Sequence, residues 1–329
     1  MSYKTFAEQT KHYFARPHTS IPSTPISSGA DWGRKTLTDQ IGRWSYKFTS
    51  TDLIELSQAV AHTRHQNLSL MDITRENFPL SEMKDRILRW QKELTNGVGV
   101  VLLRGIPVDQ WPLDDIERAY WGLGHHLGTP GAQNPQNELL GHVTDYAEQI
   151  PEEMIRLYRT SSNIRYHCDA ADIVGLLCLQ PARSGGQSRI MSTVAAFNTL
   201  MAQRPELVKR LFEPFRLDSR EGKVNKTTPY SLIAPCCFDG GRLSTFYHSD
   251  YFRSVERHEG ISLQEDEKCI LDFYDALGED PSCYFDMQLT AGDIQFVSNH
   301  VIAHARTAYE DYPEPERRRH LLRLWLSAS

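Results

Sequence analysis

The spacing of hydrophobic positions separates a helical N-terminal part from a strand-rich remainder. In residues 52–62 and 81–94 the apolar residues recur every three or four positions, which predicts amphipathic helices. The same spacing predicts a helix over residues 113–127. Between them, residues 97–105 (GVGVVLLRG) form a short apolar run ended by glycine, which predicts a buried strand.

Strand patterns dominate after residue 160. Short apolar runs bounded by turn-forming or polar residues occupy 173–179, 293–297 and 320–327. Helical spacing at 194–212 and 267–278 separates these runs. Strands that are widely separated in sequence, with helices between them, predict an α+β chain built on a β-sandwich or barrel. Residues 16–33, rich in Pro, Ser, Thr and Gly, predict an extended arm.

Composition excludes several classes of function. The 329 residues carry 36 Lys and Arg against 42 Asp and Glu, so there is no basic excess to displace counterions from nucleic acid. No run of 18 apolar residues exists, and we expect no contact with a membrane. The six cysteines include no C-x-x-C pair, and the first residues do not resemble a signal peptide. Free thiols in the cytoplasm are therefore expected.

The segment YHCDAAD, residues 166–172, contains the first candidate for chemistry. His167 and Asp169 are two positions apart, and residues at that spacing in a strand project from the same face. An imidazole and a carboxylate aimed at one point are two parts of a 2-His-1-carboxylate triad, which holds non-haem iron. The motif alone is weak, because H-x-D also occurs in solvated turns.

A second candidate lies in LTAGDIQFVSNHVIAHARTAYED, residues 289–311. His300 and His304 are four positions apart and share a face on either a strand or a helix, so spacing alone does not choose between them. No glutamate follows His300, which excludes the H-E-x-x-H pattern of zinc proteases.

The third candidate is ERRRHLLRLWLS, residues 316–327. Alternation places Arg319, Leu321, Arg323 and Trp325 on one face, and the leucines between them on the other. Burying an arginine inside a strand costs free energy unless an anion pairs with it. The planar guanidinium is suited to bind a carboxylate through two hydrogen bonds. The alternative is an edge strand whose arginines reach into solvent.

Taken together, these motifs resemble the taurine catabolism dioxygenase (TauD/TfdA) superfamily of Fe(II)- and 2-oxoglutarate-dependent oxygenases. The resemblance spans roughly residues 95–327. In chain order, its motifs are GVGVVLLRGIP (97–107), YRTSSNIRYHCDAADIVGLLCLQPARSGGQS (158–188), LTAGDIQFVSNHVIAHARTAYED (289–311) and RRRHLLRLWL (317–326). The resemblance implies a double-stranded β-helix, or jelly-roll, core with flanking helices.

The resemblance also implies roles for individual residues. His167, Asp169 and His304 match the iron ligands. His304 is preferred to His300 because it directly precedes the A-R-T-A-Y-E-D stretch, where the family places H-x-R-T. Arg319 matches the arginine that pairs with the distal carboxylate of 2-oxoglutarate.

Further positions match the cosubstrate and substrate pockets of the family. Ser188 matches a hydroxyl residue that also reaches 2-oxoglutarate, and Arg323 resembles a second arginine near the cosubstrate or a substrate anion. Four residues correspond to possible substrate contacts: Asn163, Gln136, Tyr158 and Arg159.

The implied activity uses Fe(II), 2-oxoglutarate and O2. It oxidises an unactivated C–H bond of a small molecule, such as an amino acid or carboxylate, and releases succinate and CO2. Hydroxylation is the expected outcome, while desaturation, epoxidation or oxidative cyclisation would use the same residues. A non-catalytic jelly roll that binds a metal or metabolite, and a zinc hydrolase, are alternatives. The oligomeric state is left open.

The two halves of the candidate metal site lie far apart in sequence, so one core must contain both. We therefore expect residues 95–329 to form the catalytic jelly-roll domain. Residues 1–94 are expected to be an arm and helices that pack on it within one structural unit.

Overall fold

The computed structural model describes residues 3–144, 163–219 and 228–328. Its helices are α1 (Phe6–Phe14), α2 (Arg34–Asp39), α3 (Ile41–Trp44), α4 (Ser50–His65), α5 (Lys84–Thr95), α6 (Leu113–Leu127), α7 (Thr193–Gln203), α8 (Ser249–Arg253) and α9 (Glu265–Glu279). Capping boxes start α1, where Thr5 pairs with Glu8, α4, where Thr49 pairs with Asp52, and α9, where Gln264 pairs with Glu267. Among these helices none is long and apolar enough to cross a membrane.

The strands are short and fall mostly in the second half of the chain. In chain order they are β1 (Ser45–Lys47), β2 (Val100–Arg104), β3 (Thr129–Gly131), β4 (Leu140–Val143), β5 (Ile164–His167), β6 (Ile173–Gln180), β7 (Ser184–Gly185), β8 (Ser188–Ser192), β9 (Phe215–Asp218), β10 (Tyr230–Ile233), β11 (Cys236–Asp239), β12 (Arg242–Thr245), β13 (Tyr284–Met287), β14 (Ile294–Ser298), β15 (Ile302–Arg306), β16 (Tyr309–Glu310) and β17 (His320–Ser327).

Two sheets form the core. The larger has the order β1-β2-β14-β6-β17-β3, with β4 also paired to β17, and the smaller has the order β13-β8-β15-β5. Consecutive neighbours in these sheets are mostly distant in sequence, and all pairs except β1–β2 are antiparallel. This arrangement of two facing antiparallel sheets confirms the predicted jelly-roll core.

Alternation along the strands sorts their side chains between three hydrophobic clusters. Leu321 and Trp325 of β17 and Ile190 and Ile302 of the smaller sheet share the cluster between the two sheets. The alternate leucines of β17 pack outward against α4, α5 and α6. The outward residues of β8 and β15 pack against α7 and α9. The faces predicted for Leu321, Trp325 and the alternate leucines are therefore confirmed, whereas Arg319 lies just before β17, whose pairing with β6 shifts register between His320 and Leu321.

One predicted helix is shorter than its hydrophobic pattern. The spacing over 194–212 predicts a single helix, but α7 ends at Gln203 and two short 3-10 turns follow it. Pro205 stands two residues beyond that end, and its ring disfavours a helical conformation for Arg204. The arm over residues 16–33 contains neither helix nor strand, as its composition predicts.

Candidate active site

Three side chains with metal-ligating atoms converge at one end of the smaller sheet. His304 on β15 is paired with His167, the last residue of β5, and Asp169 follows that strand by two residues. One donor atom from each lies within 4.8 Å of the others. The two imidazole rings have centroids 4.2 Å apart, and Nε2 of His304 is 3.8 Å from Oδ2 of Asp169.

The protonation states of this cluster suit a divalent metal. Burial, together with the neighbouring His167, lowers the pKa of His304 to about 3, so its imidazole is neutral at pH 7. Burial raises the pKa of Asp169, but Arg323 and the nearby histidines outweigh it and hold that pKa below its ordinary value. A neutral imidazole and an ionised carboxylate are the forms that bind metal.

Hydrogen bonds with neighbouring groups orient His167 and Asp169. Nδ1 of His167 lies 2.9 Å from the carbonyl oxygen of Arg165, and donation there leaves Nε2 with its lone pair toward the cluster. The indole Nε1 of Trp325 donates to Oδ2 of Asp169 at 3.2 Å. The donor set, its protonation and these supports therefore fit a facial-triad metal.

Arg323 stands beside the carboxylate, with Nη1 3.9 Å from Oδ2 of Asp169. Its Nε donates to Oε1 of Gln133 at 2.6 Å, and Nε2 of Gln133 donates back to the carbonyl oxygen of Arg323 at 2.8 Å. Gln133 is 2% exposed. One buried amide thus holds both the backbone and the guanidinium of this arginine.

A second polar group lies further along the same two sheets. Ser188 on β8 is paired with Arg306 on β15, two positions beyond the pair formed by Ile190 and His304. Two positions along an antiparallel strand correspond to a distance of about 7 Å. The side chains of Ser188 and Arg306 both face the interior between the two sheets. Oγ of Ser188 donates to Oε1 of Gln295 on the opposite sheet at 2.7 Å.

Arg319 is buried just before β17, beside the turn that leads into β8. It is 6% exposed, and within the described part of the chain its Nη1 has no hydrogen-bond partner. Its guanidinium carbon lies 5.1 Å from the centre of the Tyr309 ring. Burial lowers the pKa of this guanidinium from its ordinary value, although it stays charged at neutral pH.

A tight glycine turn brings β8 against Arg319. Gly185 and Gly186 have φ values of +71° and +68°, which side chains rarely adopt. A Cβ on Gly185 would lie 2.3 Å from the carbonyl oxygen of Ala308, and one on Gly186 would lie 3.4 Å from Nε of Arg319. The S-G-G-Q-S segment is therefore a close-packed wall beside the guanidinium.

His300 points away from the cluster of metal-ligating residues. Its Nε2 lies 2.7 Å from Oδ1 of Asp172, Nδ1 lies 2.6 Å from Oγ of Ser244, and its ring stacks on Tyr13 of α1. The structure thus brings together His304, and not His300, with His167 and Asp169.

A family model decides the relationship. The model described as "Taurine catabolism dioxygenase TauD, TfdA family" matches residues 63–325. The chain belongs to the TauD/TfdA family. It is a non-haem iron oxygenase that depends on Fe(II) and 2-oxoglutarate and acts on a small molecule. This sets aside the non-catalytic and zinc-hydrolase alternatives.

Curated relatives cover most of this TauD/TfdA chain. FR-33289 synthase of Streptomyces rubellomurinus is 29% identical over 311 residues, covering 93% of this chain and 91% of that protein. The taurine hydroxylase-like protein SAT17 of Stachybotrys chartarum is 25% identical over 290 residues, covering 84% of this chain and 73% of its own.

Solved structures share the fold of this family member. Asparagine oxygenase, in complex with Fe(II), 3-hydroxyasparagine and succinate, matches with a TM-score of 0.68 at 16% identity, over 87% of this chain and 94% of that one. The non-haem iron oxygenase OrfP, in complex with Fe and alpha-ketoglutaric acid, matches with a TM-score of 0.63 at 14% identity and the same coverage.

Two of the four predicted substrate-contact residues lie within the described part of the chain. Asn163 is exposed immediately before β5, and Gln136 is exposed in the turn between β3 and β4. Tyr158 and Arg159 lie outside the described residues. Their suggested contact with substrate stays a prediction.

Sequence reasoning missed several residues that the fold places at the site. Gln133 comes from a loop without any readable motif, and His248 contacts His167 with ring centroids 5.3 Å apart. Gln295 is a polar residue inside the apolar run DIQFV, which is a signal that could have been used. Trp325 shares the predicted face of Arg323, so alternation alone could have placed it near Asp169.

Proposed function

We propose that this oxygenase hydroxylates a small anionic substrate, such as an amino acid or carboxylate, with the substrate anion held at Arg323. The observation that carries the proposal is the position of that guanidinium, fixed by Gln133 within 3.9 Å of Asp169. A carboxylate bound there would lie beside the metal, so the carbons next to it would be within reach of oxidation.

The charge balance of the site supports an anion. Three buried or nearly buried arginines surround the space between the sheets: Arg306, Arg319 and Arg323. Two aspartates accompany them, Asp169 at the metal residues and Asp311, whose Oδ1 accepts from the backbone N–H of Arg319. Fe(II) and the 2-oxoglutarate dianion cancel each other, so binding both leaves the side chains with a net positive charge that an anionic substrate would balance.

We further propose the roles of the side chains. His167, Asp169 and His304 would ligate the metal through two imidazole nitrogens and one carboxylate oxygen. Arg319 and Ser188 would bind the distal carboxylate of 2-oxoglutarate, because Ser188 lies two positions beyond the His304 pair along β8 and the glycine turn before Ser188 packs against Arg319. With Fe(II), 2-oxoglutarate and O2 bound, the site would supply oxidative decarboxylation coupled to oxidation of a C–H bond.

Two of the solved neighbours support an amino-acid substrate. Asparagine oxygenase was captured with 3-hydroxyasparagine and OrfP with (3S)-hydroxy-L-Arg, so this fold accommodates amino acids at its metal.

The six cysteines are all free, which supports a reducing, cytoplasmic location.

A screen of amino acids and small carboxylates tests the function. We expect one of them to raise succinate release from 2-oxoglutarate in the presence of Fe(II), O2 and ascorbate. A product heavier by one oxygen identifies hydroxylation, whereas loss of two hydrogens identifies desaturation or ring closure. An active substrate that carries no anionic group would contradict the role proposed for Arg323.

Arg323→Ala provides the matched test of that role. This variant should lose turnover of the anionic substrate, and its basal, substrate-independent succinate release should persist because Arg319 and Ser188 are untouched. Loss of basal release as well would instead place Arg323 at the cosubstrate.

A further inference from the structure

The hydrogen bond between Ser188 and Gln295 conflicts with the role proposed for Ser188. The hydroxyl has one proton, and the structure directs it to Oε1 of Gln295 at 2.7 Å. A carboxylate is an acceptor only. With its proton committed to Gln295, Ser188 could offer the distal carboxylate of 2-oxoglutarate nothing but lone pairs, which repel it.

Reversing the amide of Gln295 removes the conflict. The oxygen and nitrogen of an amide are assigned from their hydrogen bonds, and a separation of 2.7 Å accommodates either atom. In the present orientation Nε2 donates, among the residues that the structure describes, to the thioether of Met287 at 3.7 Å, which is a weak acceptor. After a flip, Nε2 donates to Oγ of Ser188, and the hydroxyl proton becomes available to the carboxylate.

The surroundings favour the flipped state once an anion is present. Gln295 is 2% exposed, so its amide is shielded from bulk solvent. Arg319 contributes positive charge from just before β17, and Arg306, which is paired with Ser188, contributes it from β15. A chain of donors that ends on a carboxylate is also cooperative, since each bond polarises the next.

We propose that Gln295 is a positioning residue for 2-oxoglutarate: its amide donates to Ser188, and Ser188 in turn donates to the distal carboxylate. This inference rests on the proposed placement of that carboxylate at Ser188 and Arg319. It assigns a role to a residue that does not touch the cosubstrate. It also predicts whether substitution of that residue weakens or strengthens 2-oxoglutarate binding.

Gln295→Leu tests the direction of the hydrogen bond because leucine matches the size of glutamine without either polar atom. If the amide donates to Ser188, its removal should weaken 2-oxoglutarate binding about tenfold, the effect of losing one hydrogen bond to a charged system. If the amide only accepts, its removal frees the serine proton, and binding stays equal or becomes tighter. Gln295→Glu, which can only accept when ionised, should weaken binding more than Gln295→Leu does.

The measurement is equilibrium dialysis of 2-oxoglutarate against the full-length protein with Mn(II) in place of Fe(II), which prevents turnover. The control ligand is 2-oxopentanoate, which keeps the 2-oxo acid end and the chain length but lacks the distal carboxylate. We expect its affinity to be the same in wild type and in Gln295→Leu. That result also shows that the variant is folded around the metal, and Gln295→Met replaces it if Gln295→Leu does not fold.

Three outcomes would overturn the inference. Binding of 2-oxoglutarate to Gln295→Leu as tight as to wild type would show that the amide is an acceptor. Equal weakening of both ligands would show that Gln295 only supports the fold. A third outcome, wild type binding both ligands equally well, would overturn the proposed carboxylate site itself and the inference with it.

Discussion

At the scale of single residues, neighbouring positions in one motif have different surroundings. Arg319 is buried beside Tyr309, whereas Arg318 is more exposed and its Nη2 donates to the carbonyl oxygen of Pro313. His304 lies with the other metal-ligating groups, whereas His300 forms a hydrogen bond with Asp172. Each pair gives a test in which the control is a residue of the same type from the same segment.

Arg319→Ala should weaken binding of 2-oxoglutarate roughly 30-fold or more. Loss of one partner of a buried charged contact costs about 2–5 kcal/mol, and 1.4 kcal/mol corresponds to tenfold. Metal affinity should change little, because the ligating groups are untouched. Arg318→Ala is the control and should bind 2-oxoglutarate almost normally; a larger loss in Arg318→Ala than in Arg319→Ala would show that the arginine is misassigned.

His304→Ala and His300→Ala should separate metal binding from stability. His304→Ala should lose stoichiometric Mn(II) or Fe(II) binding, because only two of the three ligating groups remain. His300→Ala should retain the metal but lower the free energy of unfolding by about 1–3 kcal/mol, since Asp172 loses a buried hydrogen bond. Metal titration followed by urea unfolding of the metal-free proteins measures both, and metal loss in His300→Ala alone would reverse the assignment.

At the scale of elements, Asp172 joins three segments that are distant in sequence. Its carboxylate accepts from the backbone N–H of Ala328, just after β17, and contacts Nε2 of His300 before β15 and of His12 on α1. Burial raises the pKa of Asp172, but these contacts outweigh it and hold that pKa below its ordinary value. Asp172 stands three residues after Asp169, so it anchors the loop that presents that carboxylate.

Asp172→Asn should lower the free energy of unfolding by about 3 kcal/mol, because it removes the charge from a buried, hydrogen-bonded network. Asp39→Asn is the matched control, since Asp39 is exposed and pairs with the exposed Lys35 one turn away on α2. We expect that control to change the stability by less than about 0.5 kcal/mol. Chemical denaturation measures both, and equal effects would contradict an anchoring role for Asp172.

At the scale of the whole molecule, the N-terminal segments contribute to the same cores as the catalytic strands. Tyr13 belongs to the cluster around α7 and α9, and α4 and α5 pack on the larger sheet. We propose that residues 1–94 and 95–329 form one structural unit. Denaturant unfolding should then be a single transition by both fluorescence and circular dichroism, and limited proteolysis that releases a folded fragment of residues 95–329 would contradict it.

Buried histidines should make the molecule less stable in acid. Burial lowers the pKa of His125 to about 4, whereas an unfolded histidine titrates near pH 6.5. The unfolded chain therefore binds more protons between these values, so stability is greatest above pH 6.5 and falls as the pH drops toward 4. Urea unfolding at pH 7 and pH 5 with a chelator present should show this loss, and His125→Leu should show less of it. An unchanged pH dependence in that variant would contradict the assignment.

The sequence by itself determined the residue types of the candidate ligands and the faces of the apolar residues in the last strand. These are local properties: the apolar residues of β17 alternate because the strand repeat is two, and the order of motifs carries the family resemblance. Asp169 lies two residues beyond the end of β5, so the strand repeat does not place it. Tertiary structure decided which residues support them. Gln133, Gln295 and Asp172 meet their partners across more than 100 positions, with separations of 190, 107 and 128 residues to Arg323, Ser188 and His300. No local pattern encodes such contacts, because they depend on which strands pair and on the register in which they pair.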